Sequence, residues 1–312
     1  MKKVALIVGP TAIGKTDLSL ELAKQLAIEI VSADSRQVYR GMNIGTAKPS
    51  PDELAAVPHH FVNHKNPDEY YSAGQFGKEA RVCVEEIFAR NKQPVIVGGS
   101  GLYIRGLVDG FFDPPVADEK IKAKLQAELT EKGLVKLYKR LVKLDHAAAK
   151  QLKATDKQRI LRALEVNMIT GKPWSEFLKK KPTAADFHPV FFGLTLDRTQ
   201  LYQRIEKRVD GMIASGLVDE VQQLQKAGYG ADLNALRTVG YQEVFQYLEN
   251  QIDESAMVSL IKQKSRNYAK RQLTWFRKDT RITWRDLSEN ASADIVSEIV
   301  SEIGDKSGAA SS

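Results

Sequence analysis

The sequence predicts an α/β fold in which a parallel β-sheet is flanked by helices and interrupted by a helical insertion. The apolar run of residues 4–8 leads directly into GPTAIGKT at residues 9–16. Strand-like apolar runs then alternate with helical segments, which is the pattern of a parallel sheet covered on both faces. Residues 114–189 are helical in pattern and basic. We therefore assign 1–113 and 190–304 to the α/β core and 114–189 to the insertion.

The motif G-x-x-x-x-G-K-T between a strand and a helix is a phosphate-binding loop, or P-loop. Its glycines let backbone N–H groups curve around phosphate oxygens, and the following helix directs its positive end at the anion. Lys15 adds positive charge, and Thr16 offers a hydroxyl to Mg²⁺. The fold is thus P-loop NTPase-like, and the expected ligand is a di- or triphosphate. The predicted phosphate-binding residues are Gly9, Pro10, Thr11, Ala12, Ile13, Gly14, Lys15 and Thr16.

The remaining elements follow from the alternation of short apolar runs with longer helical patterns. Further strands are predicted at 28–32, 94–97 and 190–196. Helices are predicted at 17–27, 72–91, 198–215, 218–227, 238–249 and 254–279. Pro114-Pro115 closes the first half, and residues 118–180 are helical in pattern. Residues 305–312 lack apolar side chains apart from alanine and are expected to be a disordered tail.

Composition and charge limit the class of protein. The hydrophobic content of 43% and the charged content of 27% are typical of a globular protein. No apolar run approaches the ~20 residues that cross a bilayer, so no membrane partner is expected. The single cysteine, Cys83, excludes an internal disulfide and favours the cytoplasm. We expect a monomer.

The positive charge is concentrated in the insertion. The whole chain has a net charge of +7, and residues 116–183 carry 17 Lys and Arg against 8 Asp and Glu. This segment therefore has a net charge of +9, and the rest of the chain sums to −2. A basic module of this kind fits contact with nucleic acid, and it equally fits a solvated helical surface.

Polar residues follow two strands at the edge where parallel sheets bind ligands. Asp34 comes after strand 28–32 and is a candidate general base or Mg²⁺ ligand, or alternatively the N-cap of a following helix. Strand 94–97 leads into Gly98-Gly99-Ser100-Gly101, where the glycines permit close approach of another backbone or a ligand. This strand lacks the terminal acid of a Walker-B strand, which argues against a motor ATPase.

Pairs of arginines occur on two predicted helices. Arg159 and Arg162 are three residues apart and share a face, which can contact phosphates or simply face solvent. Arg204 and Arg208 are four residues apart and can clamp a phosphate chain. The alternative for the second pair is salt bridging to Glu206, Asp210 or another helix.

Two further segments have unusual composition. Residues 262–281 hold eight Lys and Arg, one acid, and the aromatics Tyr268, Trp275 and Phe276. Basic charge with aromatic surfaces suits an RNA backbone with unstacked bases, although some of these aromatics must pack in the core. His59-His60 suggests a metal site, but no third ligand has supporting spacing, so hydrogen bonding in a loop is favoured.

Several segments together resemble the bacterial tRNA dimethylallyltransferases, also called tRNA isopentenyltransferases. They are GPTAIGKT, ADSRQVYRGMNIGTAKP at 33–49, VPHHFVNHKNPDEYYSAGQF, GGSGLYIRGL, DKQRILRALEV, NALRTVGYQE and RNYAKRQLTWFRKD. The resemblance runs from about Val4 to Trp284 in family order. Gly-Gly-Ser stands where many members have Gly-Gly-Thr, and Phe61-Val62-Asn63 where Leu-Ile-Asp is common. The zinc finger of eukaryotic members is absent.

The resemblance implies a prenyl transfer. Dimethylallyl diphosphate would donate its five-carbon group to N6 of the adenosine immediately 3′ of the anticodon, with diphosphate as the leaving group. The P-loop, Lys15 and Mg²⁺ at Thr16 would then neutralise the departing diphosphate. The partners implied are dimethylallyl diphosphate and the anticodon stem-loop of tRNA.

The resemblance also implies roles for individual residues. Thr11 and Arg208 match residues that hold the diphosphate, and Asp34 matches the proposed base for the N6 amino group. The positions that match tRNA contacts are Asp34, Ser35, Arg36, Gln37, Ser100, Gln158, Arg159, Ile160, Leu161 and Arg162.

Two other functions remain open from the sequence alone. A P-loop kinase that phosphorylates a small molecule with ATP fits the size, the sheet and the phosphate loop. A non-catalytic RNA-binding ATPase switch fits the P-loop and the basic insertion. The first would consume ATP, and the second would bind RNA in a nucleotide-dependent way without modifying a base.

Overall fold

The computed structural model describes residues 1–111, 118–179 and 182–304. In chain order the elements are β1 (Lys3–Val8), α1 (Lys15–Ala23), β2 (Ile28–Ser32), α2 (Pro51–Ala56), β3 (His59–His60), α3 (Ala73–Ala89), β4 (Gln93–Gly98), α4 (Gly101–Val108), α5 (Glu119–Leu144), α6 (His146–Lys150), α7 (Lys157–Thr170), α8 (Trp174–Leu178), β5 (His188–Thr195), α9 (Arg198–Ala214), α10 (Leu217–Lys226), α11 (Tyr241–Leu248), α12 (Glu254–Phe276), β6 (Ile282–Asp286) and α13 (Ser292–Ile303). The expected tail 305–312 and the predicted break at Pro114-Pro115 lie outside the described residues.

The described strands form one sheet in the order β3-β2-β4-β1-β5-β6, with every adjacent pair parallel. Both faces of β1 are buried. Val4, Leu6 and Val8 pack into the core on one face of the sheet, and Ala5 and Ile7 pack into the core on the other. Burial on both faces explains why β1 is a continuous apolar run. The predicted parallel sheet flanked by helices is confirmed.

The parallel arrangement brings four strand ends to one edge of the sheet. β1 ends at the P-loop, β2 ends just before Asp34, and β4 ends just before Ser100. β5 ends before α9, the helix that carries Arg208. Because the carboxyl ends of parallel strands share one edge, residues far apart in sequence meet there.

The chain divides into two compact units. One comprises Met1–Val108 and the chain from Ala185 onward, and the other comprises Asp109–Ala184. The second unit contains α5 to α8, which pack around a cluster that includes Leu141, Ile160 and Leu164. It begins and ends a few residues before the predicted 114 and 189. Within the first unit, the N–H of Ala185 donates to the Val108 carbonyl at 2.8 Å.

Five of the described elements were not predicted from the sequence, namely the short helices α2 and α4, the strands β3 and β6, and the helix α13. β3 has only two residues, and β6 ends in Trp284, Arg285 and Asp286, so neither contains a long apolar run. α13 does have helical spacing of its buried residues, namely Ile295, Val296, Ile299 and Ile303. None of the described helices is both long and apolar enough to cross a lipid bilayer.

Candidate active site

The P-loop connects β1 to α1 at the carboxyl edge of the sheet. Gly14 has a φ of 101°, a left-handed conformation that residues with a Cβ disfavour. α1 begins at the next residue, Lys15, so its unpaired N–H groups and its positive end face the loop. The strand–loop–helix arrangement predicted for residues 9–16 is therefore present, and the phosphate ligand stays a prediction.

The Lys15 side chain lies across the loop that precedes it. Its Nζ donates to the carbonyl of Gly9 at 3.1 Å and to that of Pro10 at 2.8 Å. Burial and the nearby Arg208 lower the pKa of Lys15 to about 8, against an opposing effect of Asp34. An anion bound beside this amine would favour its protonated form.

We expect the affinity for inorganic diphosphate to fall roughly tenfold between pH 7 and pH 9 as the free Lys15 amine loses its proton. Lys15 is a cation below its pKa of about 8, and only the cation attracts the anion. Calorimetric titration across this pH range measures the affinity. At each pH, the wild-type affinity is divided by the affinity of Lys15→Met, a variant that should bind weakly. This ratio cancels the effect of the titration of diphosphate itself. Parallel wild-type and Lys15→Met profiles would exclude Lys15 as the titrating contact.

Arg208 reaches the P-loop from α9. Its Nη1 donates to Thr11 Oγ1 at 3.1 Å. Burial lowers the pKa of Arg208, and Asp34 partly opposes this effect. Arg204, one turn earlier, donates to the Ile13 carbonyl at 3.4 Å. Both arginines are thus directed at the loop, as the clamp interpretation requires.

The salt bridges proposed as the alternative for this pair have different partners. Glu206 accepts from Arg266 at 2.5 Å, and Asp210 accepts from Lys262 at 2.6 Å. Both partners lie on α12, so these two acids join α9 to α12. No ion pair involving Arg204 or Arg208 occurs among the described residues, and their guanidinium groups remain directed at the P-loop.

Asp34 lies in the turn that follows β2. Its Oδ1 accepts the N–H of Arg36 at 2.8 Å and the N–H of Gln37 at 3.2 Å. The aspartate therefore caps a turn, and no helix begins there. These bonds engage one oxygen of the carboxylate and orient the whole group. The capping alternative and a chemical role are consequently compatible.

Two cavities meet at these residues. One, of about 740 Å³, lies along the P-loop and includes Lys15 and Thr16 in its lining. The other, of about 580 Å³, lies toward α11 and α12. The residues that border both cavities are Thr11, Ala12, Asp34, Thr46, Arg208 and Tyr268. The three residues predicted to act in catalysis, Thr11, Asp34 and Arg208, therefore lie on a shared wall.

Comparison with known proteins identifies the family. Residues 37–279 match the family model described as IPP transferase. The tRNA dimethylallyltransferases of Christiangramia forsetii and Thermotoga neapolitana are 45% and 46% identical to this chain, over 91% and 92% of its length and 93% of theirs. This chain belongs to the tRNA dimethylallyltransferase family.

Solved structures of family members share the fold. The tRNA isopentenylpyrophosphate transferase of Bacillus halodurans superposes with a TM-score of 0.72 and 37% identity, covering 98% of each chain. A eukaryotic dimethylallyltransferase acting on tRNA superposes with a TM-score of 0.82 and 28% identity, covering 98% of this chain and 81% of its own. The P-loop NTPase-like fold predicted from the sequence is confirmed.

In this member of the dimethylallyltransferase family, the segment after Asp34 is held by the first unit itself. The Ser35 N–H donates to Ser100 Oγ at 3.0 Å. Arg36 Nη1 donates to the carbonyls of Asn234 at 2.6 Å and Ala235 at 3.2 Å, and Gln37 Nε2 donates to the carbonyls of Thr46 and Ala47. Ser35, Arg36, Gln37 and Ser100 thus come together around Asp34, and their contacts with tRNA stay predictions.

The glycines of the turn after β4 lie close to other parts of the chain, and Gly98 and Gly99 also line the cavity along the P-loop. A Cβ at Gly98 would lie 2.2 Å from the carbonyl oxygen of Ala33. A Cβ at Gly101 would lie 2.1 Å from the ring of Trp275 on α12. Close approach of another part of the chain therefore accounts for Gly98 and Gly101, and approach of a ligand to this turn stays a prediction.

The aromatic residues of α12 have three different environments. Phe276 is buried, as expected of a core residue, whereas Trp275 is 41% exposed and covers Gly101. Tyr268 borders both cavities, and burial is the largest cause that raises its pKa to about 12. Only Trp275 and Tyr268 therefore keep surfaces accessible from outside the core.

The Gln158–Arg162 segment begins α7 in the second unit. Gln158 and Arg159 are exposed, whereas Ile160 is fully buried in the core of that unit. The Ile160 side chain therefore supports this segment by packing, and the contacts of the segment with tRNA stay predictions. Arg162 pairs with the buried Glu165 at 2.6 Å. Arg159 is the more accessible of the two arginines, and Leu161 is half-buried.

From the sequence, Tyr268 and Arg271 were considered only as part of the basic, aromatic segment 262–281, and Arg237 was assigned no role. Arg237, Tyr268 and Arg271 all line the second cavity, and the Arg271 guanidinium lies 5.7 Å from the centre of the Tyr268 ring. The motifs NALRTVGYQE and RNYAKRQLTWFRKD contain these residues. The resemblance could thus have indicated the segments, but their convergence depends on the packing of α11 and α12.

His59 and His60 are hydrogen-bonded, as favoured from the sequence, although they form the short strand β3 instead of a loop. His59 Nδ1 lies 2.7 Å from the Val57 carbonyl, and His60 Nε2 lies 2.7 Å from Glu29. Among the described residues, no group of three or more His, Cys, Asp or Glu side chains could hold a metal ion.

Proposed function

We propose that this chain transfers a dimethylallyl group from dimethylallyl diphosphate to N6 of the adenosine immediately 3′ of the anticodon in tRNA, releasing diphosphate. The shared wall of the two cavities carries the proposal, since Thr11, Asp34 and Arg208 border both. A donor on the P-loop side and a base in the second cavity would meet at this wall. Relatives named tRNA dimethylallyltransferase support the reaction class. The proposal includes a monomer acting in the cytoplasm on the anticodon stem-loop.

Asp34 is proposed as the general base. The N6 nitrogen attacks C1 of the allyl group, so that a C–N bond forms while the C–O bond to diphosphate breaks. The proton that N6 loses passes to the Asp34 carboxylate. Its Oδ1 is held by two N–H groups, and among the described residues no donor reaches Oδ2, which is therefore the oxygen that takes the proton. A positioned base of this kind typically contributes about 10²–10⁴-fold.

The leaving diphosphate gains negative charge as the C–O bond breaks. The N–H groups at the start of α1, Lys15 and Arg208 are proposed to stabilise that charge. Arg208 presents a planar fork that suits phosphate oxygens, and its contact with Thr11 keeps it beside the loop. These groups are in place before the reaction, so little reorganisation is required as the charge develops.

Mg²⁺ bound at Thr16 is part of the proposal. Thr16 lies in the first turn of α1 and lines the P-loop cavity. A single hydroxyl at this position suits Mg²⁺, because Mg²⁺ commonly takes only one or two protein ligands in such sites. Diphosphate oxygens and water would supply its other ligands. Bound there, the metal would neutralise negative charge on the leaving group.

Chelating Mg²⁺ with EDTA should slow transfer, and Thr16→Val should require more Mg²⁺ for half-maximal rate. The reason is that the valine side chain retains the shape of threonine and loses the hydroxyl oxygen. Single-turnover rates across a Mg²⁺ titration measure both effects. Thr130→Val, at an exposed threonine of α5 in the second unit, is the matched control. Rates that do not change on chelation would exclude the role assigned to Thr16.

The basic insertion is proposed to bind tRNA. We expect Arg159→Gln to lower the magnitude of the log–log salt slope of tRNA binding by about 0.7–0.9 for one lost phosphate contact. Arg162 is left intact because it pairs with the buried Glu165. Binding across a salt series measures the slope, and donor affinity should not change.

A control separates a phosphate contact from overall charge. Arg140→Gln removes the same charge from a pair with Glu128 at 2.9 Å in the same unit. Superimposable salt series for wild type and Arg159→Gln would assign the Arg159 face to the solvated surface. Equal slopes for the two variants, both lower than wild type, would indicate a general effect of net charge.

Mass spectrometry of tRNA tests the function directly. After incubation with dimethylallyl diphosphate and digestion, N6-isopentenyladenosine should be present only when donor and protein are both supplied. ATP consumption with phosphorylation of a small molecule would instead support the kinase. Nucleotide-dependent RNA affinity without a modified base would support the RNA-binding switch.

A further inference from the structure

Gln272 on α12 connects two strand ends of the active site. The residue is only 6% exposed. Its Oε1 accepts the N–H of Thr11 at 2.9 Å, and its Nε2 donates to the carbonyl of Gly99 at 3.0 Å. A buried amide bonded at both ends is held in one orientation, because reversing it would place donor against donor and acceptor against acceptor.

The turn after β4 is shaped to receive this side chain. A Cβ at Gly99 would lie 2.2 Å from Gln272 Nε2, so only glycine leaves room for it. Three residues further along α12, Trp275 fills the space at Gly101 in the same way. α12 is thereby fixed against the turn at two neighbouring points, and Gln272 is the one that continues to the P-loop.

Thr11 is held from two sides by residues of different helices. Its N–H donates to Gln272, while its Oγ1 accepts from Arg208 Nη1 at 3.1 Å. The Thr11 N–H therefore points toward α12, and the N–H groups of residues 12–16 are those available to a diphosphate. The position of Arg208 consequently depends on a residue whose backbone Gln272 anchors.

We infer that Gln272 is a positioning residue for the transfer reaction: it fixes the P-loop at Thr11, and through Thr11 the Arg208 guanidinium, relative to the diphosphate. The inference rests on the proposed function. It assigns Gln272 no contact with donor or tRNA. Displacing a group in the site by about 1 Å can lower a rate by about 10²-fold, which sets the size of the expected effect.

Gln272→Ala is expected to lower the single-turnover rate at saturating donor and tRNA by about 10- to 100-fold. Binding of inorganic diphosphate should weaken, and tRNA affinity should not change. Met257→Ala, which removes a buried side chain near the start of the same helix, is the matched control. It should lower the thermal unfolding temperature without lowering the rate per folded molecule. The same behaviour in Gln272→Ala would overturn the inference, as would a loss confined to tRNA binding.

Gln272→Glu supplies a second readout that packing alone would not affect. A protonated glutamic acid reproduces both bonds of the amide, whereas the carboxylate sets an oxygen against the Gly99 carbonyl. The rate relative to wild type should therefore be highest at low pH and fall as pH rises. A pH-independent ratio would contradict the inference. Absence of N6-isopentenyladenosine with wild type would refute the proposed function instead, and diphosphate binding by Gln272→Ala would then decide the role of Gln272.

Discussion

Replacing Asp34 by Asn is expected to lower the single-turnover rate of prenyl transfer by ~10²–10⁴-fold while tRNA affinity changes little. Asparagine keeps an oxygen that accepts the N–H groups of Arg36 and Gln37, so the turn is preserved. It cannot take the proton that N6 must lose. Rapid-quench measurements at saturating donor and tRNA separate the chemical step from binding and product release.

Asp34→Ala serves as the companion variant, because it removes the turn bonds together with the base. Both variants should lose the same catalytic contribution, whereas only the alanine variant should show reduced thermal stability. A near wild-type rate for Asp34→Asn would remove Asp34 from the mechanism. A rate loss in the alanine variant alone would assign Asp34 to the turn.

Replacing Arg208 by Ala should have the next largest effect, a loss of about 10²–10³-fold in the rate of transfer. The guanidinium lies beside Thr11 at the wall shared by the two cavities, where diphosphate oxygens would lie. Arg208→Lys keeps the charge and loses the planar fork, so it should recover only part of the rate. Single-turnover rates and calorimetric titration with inorganic diphosphate measure the two consequences separately.

Lys226→Ala is a suitable control for Arg208→Ala, since it removes one positive charge from an exposed position on α10. It should leave both the rate and the diphosphate affinity at wild-type values. Equal losses in the two variants would indicate a dependence on net charge alone. Unchanged diphosphate affinity in Arg208→Ala would contradict the assigned contact.

Local features of the site could be predicted because they depend on neighbours in sequence. The P-loop is a continuous motif between a strand and a helix, and its arrangement is as expected. Asp34 follows a buried strand, and it was expected near the P-loop because the carboxyl ends of parallel strands share one edge of the sheet. In the structure, Asp34 and the P-loop line the same cavity. The family was also evident from its motifs, and the comparisons confirm it.

Other features could not be predicted because they depend on the packing of distant helices. Gln272 was one polar residue in a basic helix, and nothing in its neighbours indicates bonds to both Thr11 and Gly99. Arg36 was matched to a tRNA contact that stays a prediction, and its neighbours in sequence did not indicate that its guanidinium donates to the carbonyls of residues 234 and 235. The burial of Ile160 likewise depends on how the helices of its own unit pack around it.

By itself, the sequence determined the parallel α/β core, the P-loop, the basic insertion and the family, because each is encoded in short motifs or in the spacing of apolar residues. Only the tertiary structure decided which side chains meet. Arg208 and Gln272 reach Thr11 from helices that follow it by 197 and 261 residues. Contacts at such separation depend on how helices pack on the sheet edge, and the side-chain periodicity of one segment specifies its own buried face but not the partner that covers it.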